Sequence, residues 1–262
     1  MASERAKIIF FGNGPLAEAT LKVLEENFEI IFHAREKADL EKVKELKASS
    51  PEAHGVLASF GVIIREDILE LFEPEGILNI HPSLLPLYRG ASPIESAILA
   101  GDTEFSVSIM KLVRAMDAGP VYYQETFKDL PLKKAEIYEK LATAGAEWIA
   151  RNLENLPTPV PQDDGKATFT RKFEKSDAFI DPETETADEI YRKIVAFQGF
   201  PKVKFAFYGV SCIILEAHPL EQGVTAPLVL ECLNGQNLSI DRLQPENRKP
   251  MDAKSFLNGY KH

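Results

Sequence analysis

The sequence predicts an α/β first domain built on a mostly parallel sheet, followed by a smaller, mostly β second domain. Three observations predict it. Short apolar runs alternate with segments of helical spacing through residues 6–100, the pattern of parallel strands covered by helices on both faces. A proline-rich stretch, Pro157-Thr158-Pro159-Val160-Pro161-Gln162-Asp163-Asp164-Gly165, then breaks that pattern. Beyond it, short alternating segments with turn residues predominate.

The elements follow in order. Ala6-Lys-Ile-Ile-Phe-Phe11 reads as a buried strand. Gly12-Asn13-Gly14-Pro15 reads as a tight turn, with Pro15 suited to a first helical position. Leu16, Ala17, Thr20, Leu21 and Leu24 share one face of a helix over 16–26. Strands are expected at 28–32, 55–63 and 76–80, with helical segments at 37–48, 67–72 and 93–100. Residues 105–113 alternate as a strand, and 120–126 as its hairpin partner. A long amphipathic helix is expected over 135–156, ending before Pro157. In the second domain a helix is expected near 187–197, and strands at 202–208, 211–217, 227–233 and 237–243. The domain boundaries expected are 1–157, a linker at 158–172, and 173–262.

Composition narrows the classes. With 262 residues, 45% hydrophobic and 27% charged, the chain is globular rather than disordered or collagenous. No apolar run approaches the roughly 20 residues that span a bilayer, and the first residues lack the pattern of a secretory signal, so a cytoplasmic protein is expected. Cys212 and Cys232 stand alone in apolar surroundings, and the five histidines are scattered. Reduced, buried thiols and no metal site are therefore expected. Net charge is −10, with 17 basic and 25 acidic side chains in residues 1–157 and 13 and 15 in residues 158–262. Neither half is basic, so any RNA contact needs a local patch. The candidates are Lys166, Arg171, Lys172 and Lys175, and Arg242, Arg248, Lys249 and Lys254.

Two chemical signals compete. Gly12-x-Gly14-x-x-Ala17 follows the first strand, with Arg35 and Glu36 near the end of the second, as a dinucleotide site would have them. A glycine pair also serves any tight turn between strand and helix. The second signal is Asn79-Ile80-His81-Pro82-Ser83-Leu84-Leu85-Pro86-Leu87-Tyr88-Arg89-Gly90, with Met116-Asp117-Ala118-Gly119-Pro120 downstream. Asn79 and His81 lie two apart at a strand end, so their side chains share a face. That edge of an open parallel sheet is where ligands bind. A carboxamide donor beside an acid–base imidazole, with the Asp117 carboxylate on a turn after another strand, suits acyl chemistry.

These residues, continued by Ala91-Ser-Pro-Ile-Glu-Ser-Ala-Ile-Leu-Ala-Gly-Asp102, resemble the folate-dependent formyltransferases. Leu243-Gln244-Pro245-Glu-Asn-Arg-Lys249-Pro250-Met251, with Phe256-Leu257-Asn258-Gly259, resembles the C-terminal end of the tRNA-acting members. The resemblance spans nearly the whole chain. It implies a Rossmann-like first domain that binds no dinucleotide and an OB-like, barrel-like second domain that binds tRNA. It implies formyl transfer from 10-formyltetrahydrofolate to the α-amine of initiator methionyl-tRNA through a tetrahedral intermediate, without a metal. Asn79, His81 and Asp117 are then the catalytic residues, and Ser83, Leu84, Leu85 and Pro86 lie against the folate. A monomer is expected, with neither DNA nor a membrane as partner. A sugar-nucleotide N-formyltransferase is the nearest alternative: the chain passes almost directly from Phe32 into a helical segment, without the long basic insertion of the tRNA enzymes. An NAD(P)-binding reductase is a more distant one.

Overall fold

The computed structural model describes residues 5–260. They fall into two compact units: residues up to Ile94 with Thr103–Arg171, and Glu95–Asp102 with the residues from Lys172 onward.

The first unit opens with β1 (Lys7–Gly12), α1 (Pro15–Asn27), β2 (Glu29–Ala34), α2 (Leu40–Ser49), β3 (His54–Ala58), α3 (Glu66–Leu69) and β4 (Ile77–His81). Then come β5 (Arg89–Gly90), α4 (Pro93–Ala100), most of which belongs to the second unit, β6 (Glu104–Lys111), β7 (Val121–Lys128), α5 (Lys134–Asn152) and β8 (Phe169–Thr170). Among the described residues the main sheet has the order β2-β1-β3-β4-β6-β7. The first four strands run parallel, and β6 and β7 antiparallel. Ile8, Ile9, Phe10 and Phe11 are all sealed from solvent, as expected of a strand covered on both faces. Ile9, Phe11, Leu57 and Ile77 pack with Leu40 and Val43 of α2 and Ile68 of α3. On the other face α5 packs along α1, β4 and β6.

Several sequence expectations are revised. The third strand stops at Ala58 rather than running to residue 63. Ser59 turns left-handed there, with φ of 54°, which takes the chain out of the sheet. The fifth helix ends at Asn152 and closes with a 3-10 turn, Leu153–Asn155. Residues 158–171, expected as a linker, are bonded into the first unit. Val160 and Val121 exchange both backbone hydrogen bonds at 2.8 Å, and β8 pairs in parallel with β5.

The second unit contains α6 (Ala187–Ala196), β9 (Lys204–Phe207), β10 (Val210–Leu220), β11 (Val229–Glu231), β12 (Asn237–Pro245), β13 (Met251–Asp252) and α7 (Ala253–Tyr260). Its antiparallel sheet has the order β11-β12-β10-β9, with β13 beside β12. Thr186 and Glu189 cap α6 reciprocally. Ile214, Leu238, Ile240, Leu243 and Phe256 are buried. The sequence reading has no helix at α7. Asp252 starts it, its carboxylate accepting the Ser255 N–H at 2.8 Å. Both cysteines are free and buried. Burial, then the charges of Glu185 and Glu231, pushes the Cys232 thiol up to about 11.

The floor beneath β4 depends on a close helix–sheet approach. A Cβ at Gly145 of α5 would lie 2.8 Å from Ile80 Cγ2 and 3.2 Å from Ile109 Cδ1. Gly145→Val is therefore expected to destabilise the first unit by about 1–3 kcal/mol through overpacking, read as a lower urea midpoint. An unchanged midpoint would show that α5 can lift from the sheet without cost.

Candidate active site

The site grows from the C-terminal end of β4. Asn79 faces Leu57 of β3 and Met110 of β6 in register, and His81 faces Ser108. Alternation puts Asn79 and His81 on one face of the sheet, and each is only 5% exposed. The Asn79 carboxamide makes no hydrogen bond to the protein among the described residues. Among the described residues the sealed, unpartnered side-chain atoms are Thr20 Oγ1 and Arg192 Nε, so the Asn79 amide is reachable from solvent. A buried amide ordinarily finds protein partners. One left open at a strand end is available to a ligand.

His81 is held from the other side of its ring. Its Nε2 lies 3.1 Å from the Tyr88 carbonyl oxygen. A carbonyl only accepts, so Nε2 carries the proton of that bond. Nδ1 is then the nitrogen turned toward Asp117, 3.7 Å from Oδ2. That distance is too long for a direct hydrogen bond. It suits a charge contact or a bridging water.

Asp117 sits in a left-handed conformation, with φ of 48°. Its Oδ2 accepts the Gly90 N–H at 2.8 Å. The turn that carries it is pressed against β6: a Cβ at Gly119 would come within 1.8 Å of the Lys111 carbonyl oxygen. Only glycine fits that approach. Asn79, His81 and Asp117, expected together from the sequence, thus lie on one strand end and the turn facing it.

The 83–87 segment is pinned from below. Ser108 Oγ donates to the Ser83 carbonyl at 2.6 Å and accepts from the Leu85 N–H at 3.1 Å. Gln124 Nε2 donates to the Leu85 carbonyl at 2.8 Å. The Ser83 hydroxyl is engaged within the loop, donating to the Leu87 carbonyl at 2.6 Å. Leu85 is buried, Pro86 is half-buried and its carbonyl accepts the Thr168 N–H, while Leu84 and Leu87 are exposed. Of the four residues expected against a ligand, Leu84 presents its side chain, and Ser83 and Leu85 shape the loop.

Two residues given no role in the sequence reading join this frame. Arg89 is buried at 4% exposure. Its guanidinium donates to Gln162 Oε1 at 3.0 and 2.8 Å and to Asp164 at 2.7 Å. Gln162 Nε2 in turn donates to the carbonyls of Asp117 and Gly119 at 2.8 and 2.7 Å. Arg89 lies inside the Tyr88-Arg89-Gly90 pattern, so it was open to inspection. Gln162 sits among the prolines and carried no signal of its own.

The competing glycine signal has a packing explanation. A Cβ at Gly12 would lie 2.2 Å from the Ala58 carbonyl oxygen and 2.8 Å from Ala17 Cβ. His33 Nε2 donates to the Gly12 carbonyl at 2.8 Å, Asn13 donates to the Arg35 carbonyl, and Arg35 Nε donates to His33 Nδ1. No group of three or more His, Cys, Asp or Glu side chains among the described residues could hold a metal ion, and no helix among them is long and apolar enough to cross a membrane.

Comparison with known proteins gives the family of the chain. The chain is 36% identical over 220 residues to a methionyl-tRNA formyltransferase of Anaplasma marginale, covering 79% of this chain and 70% of that one. It is 36% identical over 238 residues to the methionyl-tRNA formyltransferase of Thermus thermophilus, covering 86% and 75%. Among solved structures, HypX from Aquifex aeolicus in complex with tetrahydrofolic acid shares the fold, with a TM-score of 0.73 and 17% identity over 98% of this chain. The chain spans about half of that protein, 48%. A formyl transferase model matches residues 7–153, and the model of the formyl transferase C-terminal domain matches residues 172–261. On that coverage, the chain belongs to the formyl transferase family.

Proposed function

We propose that this protein transfers the formyl group of 10-formyltetrahydrofolate to the α-amine of initiator methionyl-tRNA. The observation that carries the chemistry is the open Asn79 carboxamide beside the His81–Asp117 contact. The relatives near 36% identity named for methionyl-tRNA support the acceptor. The tetrahydrofolic acid bound by a protein of this fold supports the donor.

In this reading the amine nitrogen attacks the formyl carbon and the bond from that carbon to folate N10 breaks. One proton leaves the amine and one reaches N10, so the sum is balanced. Asn79 donates its N–H to the formyl oxygen as that oxygen gains negative charge. His81 meets the reaction through Nδ1, because Nε2 is spent on the Tyr88 carbonyl. A protonated Nδ1 donates to the oxyanion or to the departing nitrogen. Asp117, within reach of one water, fixes the imidazole and takes the amine proton. The exposed Leu84 offers an apolar contact to the flat ring of the folate, with Ser83, Leu85 and Pro86 shaping the wall behind it.

The division of labour proposed is catalysis by the unit that runs to Arg171, with its core in residues 1–157, and tRNA binding by 173–262. Lys249 and Lys254 make no ion pair among the described residues, whereas Arg242 pairs with Glu216 at 3.3 Å. The free lysines suit phosphate contact. A sugar-nucleotide acceptor is the second reading, favoured by the short passage from β2 into α2.

Two outcomes are expected. Asn79→Ala should lower kcat by about 10²–10³-fold with the melting temperature little changed, since no protein hydrogen bond is lost. Near-normal turnover would remove Asn79 from the mechanism. Reversing charge at Arg248 and Lys249, or at Lys172, should weaken tRNA binding and reduce the slope of log K against log salt by about 0.7–0.9 per lost phosphate contact. An unchanged slope at both places, with formylation of an amino-sugar nucleotide, would favour the sugar reading.

A further inference from the structure

We infer that Gln162 is a positioning residue for catalysis: it holds the turn that presents Asp117 to His81. The inference rests on the proposed catalytic role of Asp117.

The turn needs holding. Asp117 is left-handed, a conformation an aspartate adopts at a cost and keeps only where its surroundings enforce it. Its carboxylate has one backbone donor among the described residues, the Gly90 N–H. Gln162 supplies the restraint on the backbone side. Its Nε2 bridges the carbonyls of Asp117 and Gly119, the residues on either side of Ala118. A single amide therefore spans the turn.

Gln162 is itself oriented by Arg89. The guanidinium only donates, and it gives two hydrogen bonds to Oε1. That fixes which end of the amide faces the turn: the oxygen points to Arg89 and the nitrogen to the carbonyls. All the polar capacity of the side chain that these partners can use is filled. Arg89 also precedes Gly90, whose N–H meets the Asp117 carboxylate. The dipeptide Arg89-Gly90 thus grips Asp117 twice, once directly through Gly90 and once through Gln162.

The segment bearing Gln162 is anchored on both sides. Val160 pairs with Val121. Further on, the Arg89 N–H donates to the Thr168 carbonyl at 2.9 Å, and the Tyr88 N–H donates to Thr168 Oγ1 at 2.8 Å. The same Tyr88 carbonyl receives His81 Nε2. The strap at 160–170 therefore touches the partners of both His81 and Asp117, and Gln162 is its side chain on the Asp117 turn.

Glutamate separates this role from mere shape. Gln162→Glu still accepts from Arg89 but cannot donate to either carbonyl, and its second oxygen repels them. Displacement of a reacting group by about 1 Å costs on the order of 100-fold in rate, so kcat for methionyl-tRNA formylation should fall by about 10- to 100-fold. KM for 10-formyltetrahydrofolate should stay within about threefold, because the folate loop keeps its own supports. The deciding measurement is the same substitution in an Asp117→Ala background. If Gln162 acts through Asp117, it should cost less than about twofold there, since the group it positions is already gone. An equal loss in both backgrounds, or a wild-type kcat for Gln162→Glu, overturns the inference. Gln162→Met, isosteric and uncharged, carries the same comparison if the glutamate variant does not fold. Wild-type turnover in Asp117→Ala alone would instead overturn the catalytic role of Asp117, and this inference with it.

Discussion

A carboxylate can serve a neighbouring imidazole only while its backbone stays where the fold has put it. In this protein that requirement falls on one left-handed turn. Asp117 is gripped at its side chain by Gly90, at its carbonyl by Gln162, and through Gly119 by the close approach of Lys111 on β6. Each grip comes from a different stretch of chain. The site is therefore a property of the assembled unit, and no local segment could build it alone.

The sheet makes the opposing half of the site far more rigid. β4 is flanked by β3 and β6 and covered by α5, so Asn79 and His81 inherit their direction from strand register. A slip of one residue would turn both side chains to the other face. Burial of Leu78 and Ile80 between them fixes the register. The loop 83–87 that follows is tied to Ser108 and Gln124. Rigid strand and clamped turn together pre-organise the donors, so little reorganisation remains when charge develops.

Much of this was legible in the sequence, for physical reasons that differ by element. β1 and β4 announce themselves because a strand buried on both faces must be apolar almost throughout. Asn79 and His81 stand out against that background as polar groups at a strand end. The family pattern around them carries the same information. Other features were hidden. β3 was read too long because Phe60, Val62 and Ile63 are apolar, yet Ser59 had already turned the chain away. Three prolines made 157–165 look like a tether, although proline also suits a strap laid along an edge. The two-residue strands β5 and β8 leave no periodicity to detect. α7 was missed because its eight residues are short and its start depends on the single cap at Asp252.

Two carboxamides in this site have opposite accounts, and the contrast separates scaffold from chemistry. Gln162 accepts twice from Arg89 and donates to two backbone carbonyls, so its polar atoms are committed to the fold. Asn79 is the more buried of the two and makes none of these bonds among the described residues. Water can reach that amide, so the folded state forfeits no sealed hydrogen bond there. In the proposed reaction its N–H is left for the formyl oxygen and would bind most strongly as charge gathers on that oxygen. The same contrast divides the histidine nitrogens: Nε2 is bonded to the Tyr88 carbonyl, and Nδ1, facing Asp117 across 3.7 Å, is the one left for the proposed reaction.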